Sequence, residues 1–373
     1  MVVRIGFLTP WRTDDPGAWS GIIRPMLGAL AEVADVVPVS THDVPAAPLD
    51  RAAARLSRRS YLWDFGLATA RVRGRVAADR VRAAHVDVVF AVAASVDVAG
   101  LGGSVPVVQY VDAAFDDLRD RYSVFTGVSR LSAMQVRRIG TLAARRTAGY
   151  VAASQWAADG LARAGADPAR VVVAPPGAAI WPGAADRVAG GRGETATAAR
   201  PLRVLVVASD WERKGGDRAL AAVQHARAAG ADIALTVIGS APDLPDDVRA
   251  PGRLGADELS AEFARADVLL ELARANAAGV ALTDAAAHGL PAIATRVGGV
   301  PSIVAEGRSG WLVPDGDGAA SAAGDLLAAL GRDEGGGVSR ASAAAWYAEA
   351  LDWARWGERV VALCLRVREE VAR

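Results

Sequence analysis

The sequence predicts an α/β protein of two domains, each built on a doubly wound parallel sheet. Its 373 residues are too many for one small core and suit two domains of about 150–200 residues each. Short apolar runs alternate with helical stretches in both halves, as in parallel sheets whose strands are buried on both faces. Each half also opens with a strand, a loop and a helix. Ligands bind at the carboxyl ends of the strands in such sheets, so we expect the site in a cleft between two facing domains.

The first domain is predicted over residues 1–185. Residues 2–8 read as its first strand, residues 9–21 as a loop and residues 22–33 as a helix. The remaining strands of this half are short apolar runs bounded by turn residues. They are expected at residues 36–39, 86–92, 105–110, 149–153 and 171–174.

A segment rich in Gly, Ala and Thr separates the halves, and we predict an interdomain linker at residues 186–200. The second domain, residues 201–350, restarts with a strand at 202–208 and a helix at 217–229. Its further strands are expected at 234–238, 268–272 and 292–295, and a final helix at 342–371 with Ser342 as its N-cap.

The composition excludes several classes of protein and of binding site. Basic and acidic residues number 42 each, which argues against a nucleic-acid binder that relies on whole-chain charge. A single cysteine, Cys364, excludes an intramolecular disulfide framework and a cysteine-ligated zinc site. No signal peptide and no apolar run of about 20 residues is visible, so we expect a cytoplasmic protein.

A basic segment lies at residues 51–82. It contains nine arginines against Asp64 and Asp79, a local charge of +7. Two interpretations stay open: a solvated helical face, or a patch for an anionic acceptor or for peripheral contact with the inner face of the membrane.

The most informative loop follows the strand at residues 202–208. Gly215 and Gly216 would let a phosphate approach the backbone, and a helix N-terminus favours anions. Arg213 and Lys214 can neutralise a diphosphate, and Lys214 is the one lysine among the 42 basic residues. The spacing is not that of a Walker A loop, and no Gly-x-Gly-x-x-Gly turn follows the first strand.

A second stretch places Asn276 and Asp284 eight residues apart around Gly279, at the expected start of a helix. From Val280 onward this helix would point free N–H groups at an anion.

In these features the sequence resembles the retaining GT-B glycosyltransferases of family four, and the resemblance covers nearly the whole chain. The family's Asp-Trp-x-Arg-Lys-Gly-Gly segment is matched residue for residue at 210–216, and its Glu-x7-Glu helix falls on Asn276 and Asp284. Further matches are Ala-Trp-Ser-Gly at 18–21, Gln-Tyr-Val-Asp-Ala-Ala-Phe at 109–115, Ala-Ser-Gln-Trp-Ala at 153–157, Pro-Pro-Gly at 175–177, Gly-Leu-Pro at 289–291, Gly-Gly-Val-Pro at 298–301 and Trp-Ala-Arg-Trp at 353–356.

The resemblance implies a GT-B fold in which the C-terminal helix, residues 351–373, packs back on the first domain. It implies retaining, metal-independent transfer of a sugar from a nucleoside-diphosphate sugar to a hydroxyl by front-face attack. The nucleotide sugar is a co-substrate and no resident cofactor is expected, nor any nucleic-acid partner. The base of the donor stays open, and the acceptor is a small molecule, a lipid-linked molecule or a saccharide.

The resemblance also assigns roles to residues. Arg213 and Lys214 would stabilise the leaving diphosphate, and Asp112 would contact the donor sugar. Asp284 would hold the ribose hydroxyls, because a carboxylate can accept two hydrogen bonds from a diol. The other expected donor contacts are Ser20, Gly21, Gly215, Asn276, Gly279 and Val280, with the backbone of Gly239, Arg253 and Leu254 on the side of the base.

Asn276 departs from the family, which usually has glutamate there. Asparagine cannot carry a negative charge, so three interpretations stay open: it only binds sugar hydroxyls, the donor is unusual, or activity is reduced. Two alternative functions follow, a catalytically weakened nucleotide-sugar-binding partner protein and a non-hydrolysing sugar-nucleotide epimerase.

Overall fold

The computed structural model describes residues 3–57, 59–182, 200–334 and 337–372, and it divides the chain into two compact units. The first unit is Met1–Pro175 with Trp353–Arg373, and the second is Pro176–Asp352. Each unit contains a six-stranded parallel sheet, which confirms the predicted α/β class. The linker predicted at residues 186–200 lies outside the described residues, except for Arg200.

The sheet of the first unit has the strand order β2-β1-β3-β4-β5-β6. All six strands coincide with predicted ones, and the apolar runs of β1, β3, β4 and β5 are mostly buried. They are β1 (Arg4–Thr9), β2 (Asp35–Ser40), β3 (Val88–Val92), β4 (Val107–Val111), β5 (Thr147–Ala152) and β6 (Val171–Val173). The helices are α1 (Ile23–Ala31), α2 (Pro48–Leu56), α3 (Leu67–Ala84), α4 (Ser95–Gly100), α5 (Phe115–Leu118), α6 (Arg130–Ala144) and α7 (Gln155–Arg163).

The sheet of the second unit has the order β12-β11-β10-β7-β8-β9. Its strands are β7 (Leu202–Ala208), β8 (Ile233–Gly239), β9 (Arg249–Gly252), β10 (Val268–Glu271), β11 (Ala292–Thr295) and β12 (Gly310–Val313). The helices are α8 (Gly216–Ala228), α9 (Ala256–Arg265), α10 (Val280–Ala287), α11 (Ala319–Gly331) and α12 (Arg340–Trp346). The sheet is covered on both faces by apolar clusters, one built against α8 and α11 and the other against α9 and α10.

Two strands of this sheet, β9 and β12, are absent from the sequence prediction. Both are four residues long and both are edge strands, and β9 contains Pro251. Proline is tolerated at a sheet edge, where one side of the backbone needs no ladder partner. Short edge strands carry too little apolar pattern for the sequence to reveal them.

The long helix predicted at residues 342–371 is wrong as a single element. Ser339, rather than Ser342, caps α12, and Ser342 completes a capping box in which its hydroxyl accepts from the Ser339 N–H group. A π-helical turn at Tyr347–Leu351 follows, and α13 (Trp353–Ala372) begins after Asp352, whose backbone is extended. The break falls at the boundary between the two units.

Helix α13 packs on the sheet of the first unit, as the resemblance implies. The Trp356 ring lies edge-on to Phe90 of β3 and Tyr110 of β4, with centroid distances of 5.8 and 6.0 Å. Leu363 and Val367 pack so close to β5 that a Cβ atom at Gly149 would lie 3.2 Å from each of their side chains. The C-terminal helix therefore completes the core of the unit that contains the N-terminus.

Candidate functional site

The loop after β7 forms the first part of the site. The Lys214 N–H group donates to the Asp210 carbonyl at 2.9 Å and folds the loop into a tight turn that leads into α8. Gly215 caps this helix with a φ of +69°, and a Cβ atom there would collide with the Leu272 carbonyl oxygen. Glycine is therefore required where the loop touches the chain that leaves β10.

Arg213 is hydrogen-bonded to the segment that follows β10. Its Nε donates to Asp210 at 3.2 Å, and its Nη1 donates to the Ala275 carbonyl at 3.1 Å. The Arg274 N–H group donates in turn to the Arg213 carbonyl at 2.8 Å. Protein groups thus fix the orientation of the guanidinium.

Lys214 forms a buried ion pair with Glu271, the last residue of β10. Its Nζ lies 3.0 Å from Oε2, and the two side chains are only 12% and 3% exposed. Removing two charges from water is costly, so such a pair persists only where further hydrogen bonds satisfy it. The sequence prediction missed Glu271: a glutamate ends the apolar run Val268–Glu271, but nothing local in the sequence links it to Lys214.

Asn276 supplies one of those further hydrogen bonds. Its Nδ2 donates to Oε1 of Glu271, while its Oδ1 accepts from the Gly279 N–H group at 2.8 Å. Both ends of the buried amide are therefore used inside the protein. Gly279 caps α10 with a φ of +60°, and the first turn from Val280 offers the N–H groups that a helix N-terminus presents to an anion.

Asp284 lies one turn further along α10 and is 4% exposed. Its Oδ1 accepts from the N–H groups of Ala179 at 2.7 Å and Ile180 at 3.0 Å. Burial raises the pKa of this carboxyl to about 7, although the two N–H groups and the charge of Lys214 act in the opposite direction. Asp284 thus shares the electrostatic environment of the cationic loop.

His288 is held by protein groups on both ring nitrogens. Nδ1 lies 2.7 Å from the Asp284 carbonyl oxygen, Nε2 lies 2.8 Å from the Ser260 hydroxyl, and the ring stacks on Phe263. These contacts fit a structural role that fixes the C-terminal end of α10.

The positions expected on the side of the base lie at the same edge of the second sheet. Gly239 ends β8 opposite Ala208 of β7, and Arg253 and Leu254 follow directly after β9, which pairs with β8. The structure therefore brings these positions, the cationic loop and the N-terminus of α10 to the carboxyl edge of one sheet.

Three candidate residues belong to the first unit. Asp112 follows β4 and is half-buried, and this burial raises the pKa of its carboxyl to about 6. Ser20 and Gly21 lie in the loop after β1 with φ values of +61° and +82°. The Gly21 N–H group donates to the Ala18 carbonyl at 3.0 Å, so this amide takes part in a turn.

Arg58 of the basic segment lies outside the described residues, and the other eight arginines fall into two groups. Arg73, Arg80 and Arg82 pair with Asp64, Asp43 and Asp79. Five others form no ion pair within the described part of the chain and are exposed. They are Arg51, Arg55, Arg59, Arg71 and Arg75.

Metal clusters and membrane-spanning helices are both absent from the residues that the structure describes. Among them, no group of three or more His, Cys, Asp or Glu side chains is placed to hold a metal ion. No described helix combines the length and apolar character needed to cross a bilayer.

Comparison with known proteins finds a family match within the second unit. Residues 201–331 match the family described as glycosyl transferases group 1. A GDP-mannose-dependent alpha-(1-6)-phosphatidylinositol monomannoside mannosyltransferase of Mycolicibacterium smegmatis is 32% identical over 178 residues, which is 42% of this chain and 46% of that protein. The amylovoran biosynthesis glycosyltransferase AmsK of Erwinia amylovora is 32% identical over 142 residues, 33% of this chain and 35% of that protein. The chain thus spans less than half the length of these curated relatives.

Solved structures extend the likeness to both units at the level of the fold. HepE of Anabaena, solved with UDP and glucose, matches 96% of this chain and 98% of its own with a TM-score of 0.62 and 15% identity. The lipopolysaccharide outer core galactosyltransferase WaaB matches 97% of this chain and 99% of its own with a TM-score of 0.65 and 12% identity. The chain has the GT-B fold, and its residues 201–331 match the group 1 glycosyltransferases.

Proposed function

We propose that the protein transfers a sugar from a nucleoside-diphosphate sugar to an acceptor hydroxyl with retention of anomeric configuration. The observation that carries this proposal is the pair Arg213 and Lys214, fixed at the carboxyl edge of the second sheet beside the N-terminus of α10. Cations and helix N–H groups aimed at one place suit a diphosphate. HepE was solved with UDP and the Mycolicibacterium relative is named for GDP-mannose, so both nucleotides are candidate donors.

Front-face attack fits the residues of this edge. The bond between the anomeric carbon and the diphosphate oxygen breaks as the acceptor oxygen bonds to the same face, and the acceptor proton passes to the departing diphosphate. Arg213 and Lys214 stabilise the charge that develops on that leaving group. Asp112 is assigned to the hydroxyls of the donor sugar, and Asp284 to the ribose.

Replacement of the two cations tests this function. We expect Arg213→Ala and Lys214→Ala each to reduce turnover of the true donor by roughly 10²–10³-fold, because each removes a group that stabilises the leaving diphosphate. The measurement is product formation from a panel of UDP- and GDP-sugars, with the anomeric configuration assigned by NMR.

Arg227→Ala is the matched control, because Arg227 lies at the opposite end of α8 and pairs with Asp247. Unchanged turnover in the Lys214 variant would contradict the proposal, as would an inverted product. An epimerised nucleotide sugar in a reaction without acceptor would instead support the epimerase function.

We further propose that the first unit contacts an anionic membrane surface through α2. Leu49 and Leu56 are 72% and 86% exposed and lie two turns apart, so they form an apolar stripe on one face of α2. Arg51 and Arg55 are exposed on another face of the same helix and form no ion pair with any described residue. A helix with an exposed apolar face and a basic face suits the headgroup region of a bilayer. The name of the Mycolicibacterium relative includes phosphatidylinositol monomannoside, which is a lipid.

Vesicle sedimentation tests this contact. We expect Leu49→Asp combined with Leu56→Asp to reduce binding to vesicles of about 30 mol % anionic lipid by at least tenfold, because the apolar stripe is lost. Val33→Asp, at an exposed apolar residue outside α2, should bind as the unmodified protein does. Equal binding of the double variant, or equal binding to neutral vesicles, would contradict the proposal.

A further inference from the structure

Four groups form a continuous chain of hydrogen bonds from the cationic loop to the start of α10. Lys214 Nζ donates to Oε2 of Glu271, and Asn276 Nδ2 donates to Oε1 of the same carboxylate. Asn276 Oδ1 then accepts from the Gly279 N–H group. The chain therefore links the loop that carries Lys214 to the helix that carries Asp284.

This chain of hydrogen bonds requires an amide at position 276. The side chain there must donate to one neighbour and accept from another, and Glu271 can only accept. A carboxylate at position 276 would face the Glu271 carboxylate in a site where both residues are less than a tenth exposed. Two like charges in such a site cannot both be ionised without a large cost.

We propose that Glu271 is a positioning residue for Lys214, and that Glu271 and Asn276 act as one unit that carries a single negative charge. Glu271 takes one of the three N–H groups of the ammonium and so directs the others, while Asn276 fixes the carboxylate that does this. The unusual asparagine follows from the presence of Glu271 and is no sign of lost activity. The inference rests on the proposed function in one respect, that the ligand of Lys214 is a diphosphate.

A swap of the acid and the amide tests the unit without changing its size or charge. In Glu271→Gln the new amide has one acceptor oxygen for two donors, the Lys214 ammonium and Asn276 Nδ2. Its own NH2 group must therefore face one of these donors. In Asn276→Asp two carboxylates meet. The double variant combines both substitutions and restores the match of donors and acceptors. Its amide at position 271 can accept from Lys214 through the carbonyl and donate to the carboxylate at position 276, which still accepts from Gly279.

Stability without ligand gives the first readout. We expect Asn276→Asp to lower Tm by roughly 5–15 °C, because it sets two buried carboxylates against each other. The double variant should recover more than half of the loss. If the loss of Tm in the double variant equalled the sum of the losses in the two single variants, Glu271 and Asn276 would not act as one unit. This result does not depend on any glycosyltransferase activity.

Nucleotide affinity gives the second readout, and it separates positioning from a purely structural role. By titration calorimetry we expect Glu271→Gln to weaken UDP or GDP by roughly tenfold and the matching monophosphate by less than about twofold, because Lys214 acts on the terminal phosphate. Equal losses for both nucleotides, or tighter diphosphate binding, would overturn the positioning role. Failure of the unmodified protein to bind UDP and GDP would instead refute the proposed function, while the Tm cycle would still decide whether the unit exists.

Discussion

The buried carboxyl of Asp284 lowers the stability of the folded protein at neutral pH. Its pKa is about 7 in the folded chain, against an ordinary value of 3.8 for aspartate. Between these values the folded protein binds more protons than the unfolded chain, so this group makes the protein less stable as the pH rises from about 4 to about 7. A buried carboxyl retained at such a cost is typical of a ligand site.

Asp284→Asn should remove this cost. The amide oxygen can still accept from Ala179 and Ile180, and no proton has to be lost. We expect the variant to be more stable than the unmodified protein by on the order of 2 kcal/mol near pH 8 and equal to it near pH 4.

The measurement is Tm across this pH range, with the exposed Asp257→Asn in α9 as the control. A stability gain that is independent of pH would contradict this account. Under the proposed function, in which Asp284 accepts from the ribose diol, donor affinity should fall in the same variant because a neutral amide accepts more weakly.

The two helices that face the site both begin at a glycine with a left-handed backbone. Gly215 precedes α8 and directly follows Lys214, while Gly279 precedes α10 and lies between Asn276 and Asp284. The order of these elements was predictable from the sequence, because two glycines after a strand and before a helix form a local pattern. The contact between the loop at Gly215 and the segment at Leu272 was not predictable, because these two segments lie far apart along the chain.

Gly215→Ala should destabilise the second unit. The new Cβ atom would meet the Leu272 carbonyl oxygen in addition to straining a positive φ. We expect a loss of about 3 kcal/mol in the free energy of unfolding, measured in urea.

Gly230→Ala is the matched control, because Gly230 also has a positive φ but open space around its Cβ position. It should cost about 1–2 kcal/mol. Equal losses in the two variants would show that the close approach to Leu272 contributes nothing.

The C-terminal helix α13 forms part of the core of the first unit. Trp356 of α13 is buried against Phe90 and Tyr110, so residues from the C-terminus belong to the core around β3 and β4. Trp356→Ala should therefore lower the free energy of unfolding of the first unit by about 3–5 kcal/mol, because it leaves a cavity.

Urea denaturation of the full chain, with limited proteolysis to identify the unit that unfolds, is the measurement. Trp63→Ala, at a partly exposed tryptophan of the same unit, should cost about 1 kcal/mol or less. A small loss in the Trp356 variant would mean that α13 contributes little to this core.

Most of the fold was predictable because its central strands are uninterrupted apolar runs. The misses have physical reasons: β9 and β12 are short edge strands, and the helix break at Asp352 lies where the chain passes from one unit to the other. In the site, Arg213 and Lys214 were accessible through a local motif. Glu271 was not, because one glutamate at a strand end acquires meaning only from Lys214 and Asn276, which lie apart in sequence.

The central claim is that the carboxyl edge of the second sheet binds a nucleoside diphosphate through Arg213 and Lys214. Calorimetric titration of the full chain with UDP and GDP tests it most directly. We predict that one of them binds with a Kd in the micromolar range, and that combining Arg213→Ala with Lys214→Ala weakens binding by roughly 10²-fold or more. Equal affinity in the double variant and the unmodified protein would contradict the claim.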